Sequence, residues 1–351
     1  MLKNLSNKLR IYSKRFLGKS VYSCIYAKDF IKKSFKNKNK SKKYNILPSS
    51  LFNVLKKRKL VFSSIVSFIF LYYGIGAIVS SSINTNLNHK LTTTNNTRYS
   101  TNALIYTLKT QVDDTQWTPA LPIIFPAYFL DNLPNFQIGA KDSIKYLTQK
   151  MSAYYVDNNL KKAGELLSYA PDIWLFSKTN ESTLAPGSAK QYRKALALLN
   201  TFSENQNTLH PLDLNELNYF LNNLNTLLEK NINKLNKHIQ EHSSDFFNNK
   251  SDDVFYNAKG SAYVIYYVIK GLTKDYQDQI VDAELYDDIT TILKNLEIAI
   301  NFNPISIKNA SPDDIYQANH LIYLTYYLLS AQNKLKDVSF NIDLKSRKLS
   351  Q

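Results

Sequence analysis

The sequence reads as an all-α protein: a single N-terminal transmembrane helix followed by a helical bundle. Three observations predict this. Leu60 to Ile83 is a run of 24 residues without a charge, and about 20 apolar residues cross a bilayer core as a helix. Beyond it, apolar residues recur at steps of three and four, and no segment shows the alternation of a half-buried strand. Only 8 glycines occur in 351 residues, which argues against a turn-rich β architecture and against phosphate-binding glycine loops.

The charge balance divides at the apolar run. Residues 1–60 hold 18 Lys and Arg against one acid, Asp29, whereas the remainder holds 26 against 27. The formal net charge of +16 therefore describes one arm. Lys56, Lys57, Arg58 and Lys59 abut the run, and on its far side Lys90 is the first cation. Cytoplasmic flanks of membrane helices are enriched in Lys and Arg, so the expected orientation is N-terminus in the cytoplasm, with one pass. A cleaved signal peptide fits poorly, because 59 residues precede the run and its length exceeds a signal core. Cys24 is the one cysteine and lies on the basic side, so the exterior part contains no disulfide.

The expected domains are a basic cytoplasmic arm over 1–59, the span over 60–83, a polar linker over 84–97, a helical domain over 98–336 and a frayed polar tail over 337–351. In the arm, Leu2, Leu5, Leu9, Tyr12 and Phe16 mark one face of a basic amphipathic helix. Such a helix lies on an anionic membrane surface. Basic arms also bind nucleic acid, but no recognition module accompanies this one, so no nucleic-acid partner is expected. Lys36 to Lys43 is a charged linker.

Past the span, a helix is predicted over Asn102–Val112. Pro119, Pro122, Pro126 and Pro134 exclude a regular helix over Trp117–Pro134. That stretch is strongly apolar, so it should pack on the body, with the nearby membrane surface as the alternative. Helices follow over residues from Ile138 onward, over Gln191–Phe202, and over Asp213–Glu241. The last carries Leu214, Leu217, Leu221, Leu224, Leu228, Ile232, Leu235 and Ile239, a near-heptad seam. It would be about 45 Å long, with Asp213 and Glu216 as a capping pair. Ala262–Leu272 and His320–Ala331 are too short to span and read as buried core helices. Leu285, Ile289, Ile292, Leu296 and Ile300 define a helix between them. Ser311, Pro312, Asp313 and Asp314 form a helix-start pattern before the second run. Seven or eight helices are expected beyond the membrane.

Candidate chemistry is sparse. His238, Glu241 and His242 match H-x-x-E-H, in which two histidines on one helix face share a zinc and the Glu acts as general base. A third ligand would have to come from Glu284 or Glu297. The motif falls where a helix runs into a polar loop, so a solvent-facing helix end is the favoured reading. Acidic pairs occur at Asp113-Asp114, Asp252-Asp253, Asp287-Asp288 and Asp313-Asp314. Paired carboxylates can do acid–base work, but at helix starts they stabilise the dipole instead. No nucleophile elbow, Walker loop or dinucleotide fingerprint is present, and no cofactor is implied.

Three segments carry a resemblance to a known family. Phe129 to Gly139 (FLDNLPNFQIG), Asp252 to Gly260 (DDVFYNAKG) and Ala318-Asn319-His320 are similar to motifs of domain of unknown function 2333, in matching order and spacing over roughly residues 60–335. The resemblance implies a bacterial inner-membrane protein with an N-terminal anchor and a soluble helical body in the periplasm. It implies no reaction. Gln137 stands where the family has a Glu, and Leu321 where it has a Ser. The motif residues Asp131, Asn132, Asp252, Asp253, Tyr256, Asn319 and His320 are a candidate pocket or a set of buttressing caps and turns. In the second sense Asn132 holds a turn, Asp252 and Asp253 cap a helix, and His320 is a satisfied core residue.

The expected function is a non-catalytic envelope scaffold that presents its bundle to a protein partner, with the bilayer as the partner of its anchor and arm. The long seamed helix and the apolar proline loop would be the contact surfaces. An envelope hydrolase is the alternative, using zinc through His238, Glu241 and His242 or carboxylates through Asp131, Asp252 or Asp253. A lipid or small-molecule module would need a deep apolar cavity with Asp131, Asp253 and His320 at its mouth.

Overall fold

The structure is a computed structural model describing residues 49–351, apart from 81–82, 95, 123, 127–130, 179–183, 205, 207–209, 211, 213, 243–249, 312–313, 315–317 and 350–351. The amphipathic segment and linker of the arm, together with Phe129, Leu130, Asp213, Pro312 and Asp313, lie outside the described residues. The chain divides into two units, Met1–Val66 and Ser67–Gln351.

Helix α1 (Ser49–Ser80) begins 11 residues before the expected span. Leu, Lys and Arg are all good helix formers, so the basic cluster continues the helix instead of ending it. Its window Arg58–Gly76 is long and apolar enough to cross a membrane, and none of that window is buried. The second unit holds nine further α-helices among the described residues: α2 (Tyr99–Lys109), α3 (Asn132–Tyr155), α4 (Asn158–Leu167), α5 (Ser188–Ser203), α6 (Leu214–His242), α7 (Ser251–Asp275), α8 (Gln277–Asp282), α9 (Tyr286–Asn301) and α10 (His320–Leu349). A hairpin of two three-residue strands, β1 (Phe176–Lys178) and β2 (Leu184–Pro186), pairs antiparallel ahead of α5. It escaped the periodicity reading because three residues cannot display an alternation. The fold is thus all-α with one small hairpin.

Helix α7 is the core. Almost every residue from Phe255 to Leu272 is buried, as expected of a helix that is apolar on all faces. It packs against α2, α3, α6 and α9. Its closest neighbour is α3. A Cβ on Gly139 would lie 1.9 Å from the Asn257 carbonyl oxygen, and one on Gly260 would lie 2.0 Å from that of Phe136. The two backbones therefore touch through reciprocal glycines. Ser143 and Ser261 hydroxyls bond at 2.7 Å just beyond, and Asn231 of α6 donates to Ser261 at 2.7 Å.

The seam of α6 is consumed inside the body. Leu217, Leu221, Leu224, Leu228, Ile232, Leu235 and Ile239 are all buried, against α10 and α7. It is not a contact surface for partners, which corrects that expectation. Glu216 lies in the first turn of this helix; its expected capping partner, Asp213, lies outside the described residues. Glu216 is buried and paired with Arg98, which also donates to the His210 carbonyl and, at 3.2 Å, to the Tyr155 hydroxyl.

The linker and tail expectations also fail. Over 84–97, Leu87 and Leu91 are buried, the Tyr267 hydroxyl donates to the Asn86 carbonyl at 2.6 Å, and Lys270 Nζ to that of Leu87 at 2.9 Å. Asn86 and Asn88 N–H groups bond the side chains two residues back, so the polar composition serves local Asx bonding along a strap, not solvation. At the C-terminus α10 runs to Leu349, and Leu335, Val338 and Ile342 are buried. Their steps of three and four continue the core face through a segment whose average polarity disguised it. The start of α10 also moves: Asn319 caps it by accepting the Ile322 N–H at 2.9 Å, whereas the Ser311 carbonyl accepts the Asp314 N–H.

Gly139→Ala or Gly260→Ala should cost about 2–3 kcal/mol, since overpacking against rigid backbone outweighs the gain in helix propensity. Urea unfolding of the detergent-solubilised chain measures this. Glu216→Ala should cost about 3–5 kcal/mol, because Arg98 is left charged and buried, whereas Arg98→Met combined with Glu216→Leu should recover most of the loss.

Candidate functional site

The glycine contact has a consequence at the other end of the two helices. Asn135 donates to the Asp253 carboxylate, Asn257 to the Asn135 carbonyl at 3.4 Å, Gly260 meets Phe136, and Ser143 meets Ser261. The paired positions climb together, so α3 and α7 run in the same direction along this contact. Their N-termini consequently lie side by side. Asp131, at the N-cap position of α3, and Asp252, in the first turn of α7, each stand eight residues before the contact glycine. Asp131, Asp252 and Asp253 each bring a carboxylate oxygen to one place, all within 4.8 Å of one another.

Three acids this close repel. Two features offset the repulsion. Both helix N-termini present positive dipole ends, and Asn135 supplies a donor. Burial and the remaining repulsion both favour the protonated acids. Burial first, then Asp131 and Asp252, pushes Asp253 up to about 6. Asp252 is raised by burial and by Asp131, and the Tyr256 hydroxyl is raised by burial and by the same two acids. Lys234 also faces this region: its ammonium bonds the Asn257 side chain at 2.9 Å.

The remaining motif residues have separate partners. Asn132 is the first residue of α3, not a turn residue, because the helix starts one position before Leu133-Pro134 and places Pro134 in its first turn, where its missing N–H costs nothing. His320 accepts the Lys308 N–H through Nδ1 at 3.0 Å, and its ring packs 5.7 Å from Phe302. Burial lowers its pKa. Phe302 in turn lies 5.8 Å from Phe255. The first two motifs therefore converge on the acids, while the third docks on the second through Phe302. Asn319 supports the loop before α10, donating to Asn309 at 2.9 Å as well as capping.

His238 is buried, with Nε2 3.1 Å from the Ser251 hydroxyl, and its ring lies 4.7 Å from that of His242. Glu241 is exposed and pairs with Lys237 at 3.9 Å. Among the described residues the three-acid group, not this one, meets the spacing that a metal needs. Oxygen ligands of that kind suit hard cations such as calcium or magnesium.

Two residues outside the candidate set emerge. Lys259 is buried; its ammonium donates to the Phe302 carbonyl at 3.0 Å and to Asn303, and burial lowers it to about 8. It sits at the C-terminus of α9, where a cation complements the dipole. Gln137 is also buried. Its amide oxygen accepts the Thr118 N–H and hydroxyl at 2.9 and 2.7 Å, and its amide nitrogen donates to the carbonyls of Gln111 and Gln116 at 3.2 and 3.0 Å. Only a group that both donates and accepts makes all four bonds, which suits a Gln and not an ionised Glu. Asn135 could have been found from its spacing, four residues after Asp131 on one helix face. Lys259 carried no such signal.

Two voids among the described residues are small. One of about 10 Å³ is lined by Leu217, Ile269, Ile292 and Leu335 among others, and one of about 20 Å³ by Thr101, Tyr155 and Gln206 among others. Neither is lined by Asp131, Asp253 or His320. Comparison with family models, curated proteins and solved structures finds no match.

A carboxyl raised above its unfolded value of 3.8 keeps its proton longer in the folded chain than in the unfolded one. Its contribution to stability is then fully present below about 4, falls as the pH climbs to about 6, and stays low above. Asp253→Asn should flatten this slope, leaving the smaller share due to Asp252, and make the protein more stable at pH 7. Urea midpoints from pH 4 to 7 for the two proteins test this; an unchanged slope contradicts it.

Proposed function

We propose that the chain is a single-pass membrane protein of the envelope, with its basic arm in the cytoplasm, that presents a helical body on the opposite side and acts there by binding a protein partner. One observation carries this reading: no residue of the Arg58–Gly76 window is buried inside the protein. Phe62, Phe68 and Phe70 stand exposed on it. Water would penalise such a surface by about 25 cal/mol per Å², whereas acyl chains cover it without cost. Lys56 to Lys59 at one end only supports the orientation. The three-segment resemblance supports a bacterial inner membrane and a periplasmic body.

Binding is favoured over catalysis because the three acids are accounted for by two helix dipoles and no described void opens on them. The seam of α6 being occupied, the outer face of α10, with Tyr326, Leu329, Phe340 and Leu344 exposed, is the surface left for a partner.

A reporter active only outside the cytoplasm, fused to the C-terminus, should be active, and the full chain should resist alkaline extraction from membranes. A silent reporter beside an active cytoplasmic one reverses the orientation. Release by alkali removes the span itself.

A further inference from the structure

We propose that the proline-rich loop ending at Pro126, together with the adjoining turn Ile173–Leu175, seats in the leaflet on the far side of the membrane, so that the body rests on the lipid surface. This rests on α1 being the membrane span.

The contact between loop and helix sets the depth. The Tyr72 hydroxyl donates to the Ile124 carbonyl at 3.3 Å. A Cβ on Gly76 would lie 2.4 Å from Pro126 Cγ, so the proline ring packs on a helix face that only glycine leaves open. Tyr72 and Gly76 precede the last helical residue, Ser80, by eight and four residues, about 12 and 6 Å of helix. Interfacial segments bury their apolar face about 5–10 Å into the boundary between headgroups and acyl chains. A loop that touches α1 at those two positions is within that depth at Gly76 and about 2 Å past it at Tyr72.

Its chemistry matches. Residues 115–130 contain no charge. Ile124, Trp174 and Leu175 are 57, 43 and 57 % exposed, and the Phe125 and Trp174 rings meet edge to face at 5.8 Å, joining loop and turn into one patch. Tryptophan favours the interface, where its ring is lipid-facing and its N–H wet. Backbone polar groups are the usual obstacle to placing a loop in lipid. Here Pro119, Pro122 and Pro126 have no N–H to satisfy. The Leu121 and Phe125 N–H groups bond the carbonyls of Thr118 and Pro122, and the Ile124 carbonyl has Tyr72.

The mount is stiff. The Trp117 indole donates to the Pro171 carbonyl at 2.8 Å. The Ser188 N–H donates to the Ile173 carbonyl at 2.8 Å. A Cβ on Gly187 would lie 2.2 Å from the Trp174 carbonyl oxygen, so the turn lies directly on the start of α5. The 84–97 strap packs on the body and is not a spacer that would hold it off the membrane.

The test uses the full chain in phospholipid vesicles. Trp117 is buried, so Trp174 is the reporter, and Trp174→Phe assigns its signal while keeping an aromatic edge against Phe125. Bromine on the acyl chains should quench the wild-type emission, with the quenching lost in Trp174→Phe, and aqueous iodide should leave the emission unchanged. Ile124→Glu combined with Leu175→Glu should exchange the two responses without loss of vesicle co-flotation. Quenching by iodide instead of bromolipid overturns the proposal. So does protection from both, which would mean a protein cover such as a second copy of the chain. A chain that fails to float with the vesicles overturns the span reading along with this one, whereas a floating chain with iodide-quenched Trp174 overturns this one alone.

Discussion

The backbone contact between α3 and α7 is the constraint on which the body depends. Two helices meet at Gly139 and Gly260 more closely than any side chain permits. That proximity makes α7 a core helix, because α3 then covers it along its length while α2, α6 and α9 take the remaining faces. It also sets direction and register. Ser143 is placed against Ser261, and through it Asn231 of α6 enters the same polar chain. The acids at the two N-termini meet for the same reason. Their cluster is a by-product of two parallel helix starts, stabilised by two dipole ends and unsettled by mutual repulsion.

Helix ends organise the rest of the charge. Asp275 accepts the first two N–H groups of α2, both at 2.8 Å. Glu216 lies in the first turn of α6, where it meets Arg98. Lys259 holds the carbonyl end of α9. In each case a buried or half-buried charge lies where the backbone has orphan groups of complementary sign. These contacts tie the ends of helices together within the buried interior. Two of these charges, Lys259 and Asp275, are carried by α7 itself.

Much of the architecture was legible. The seam of α6 and the spacing from Leu285 to Ile300 located their helices within a residue or two, and the apolar run at Ala262–Leu272 located the core of α7. What was missed has a common cause. The strap over 84–97 and the tail over 337–351 are polar on average, yet Leu87 and Leu91 in one and Val338 and Ile342 in the other face the core. A few apolar residues suffice when a surface already exists to receive them, and composition averages conceal such a minority. The start of α10 was misplaced because Asn319, which makes the cap, carried no local pattern as clear as the one at Ser311.

The site shows the same division. Asp252 and Asp253 were legible as acids at a helix start, a reading that depends on neighbours in the chain, whereas Asn132, read as a turn residue, opens α3. That Asp131 reaches Asp252 while His320 packs on Phe302 could not be read, because each contact joins residues that only the helix crossing brings together. By itself, the sequence determined where an uncharged, cation-flanked helix lies and which segments coil, because hydropathy and helical period are local properties. Tertiary structure decided which apolar faces are consumed and which stay exposed, because burial depends on what another part of the chain places against them.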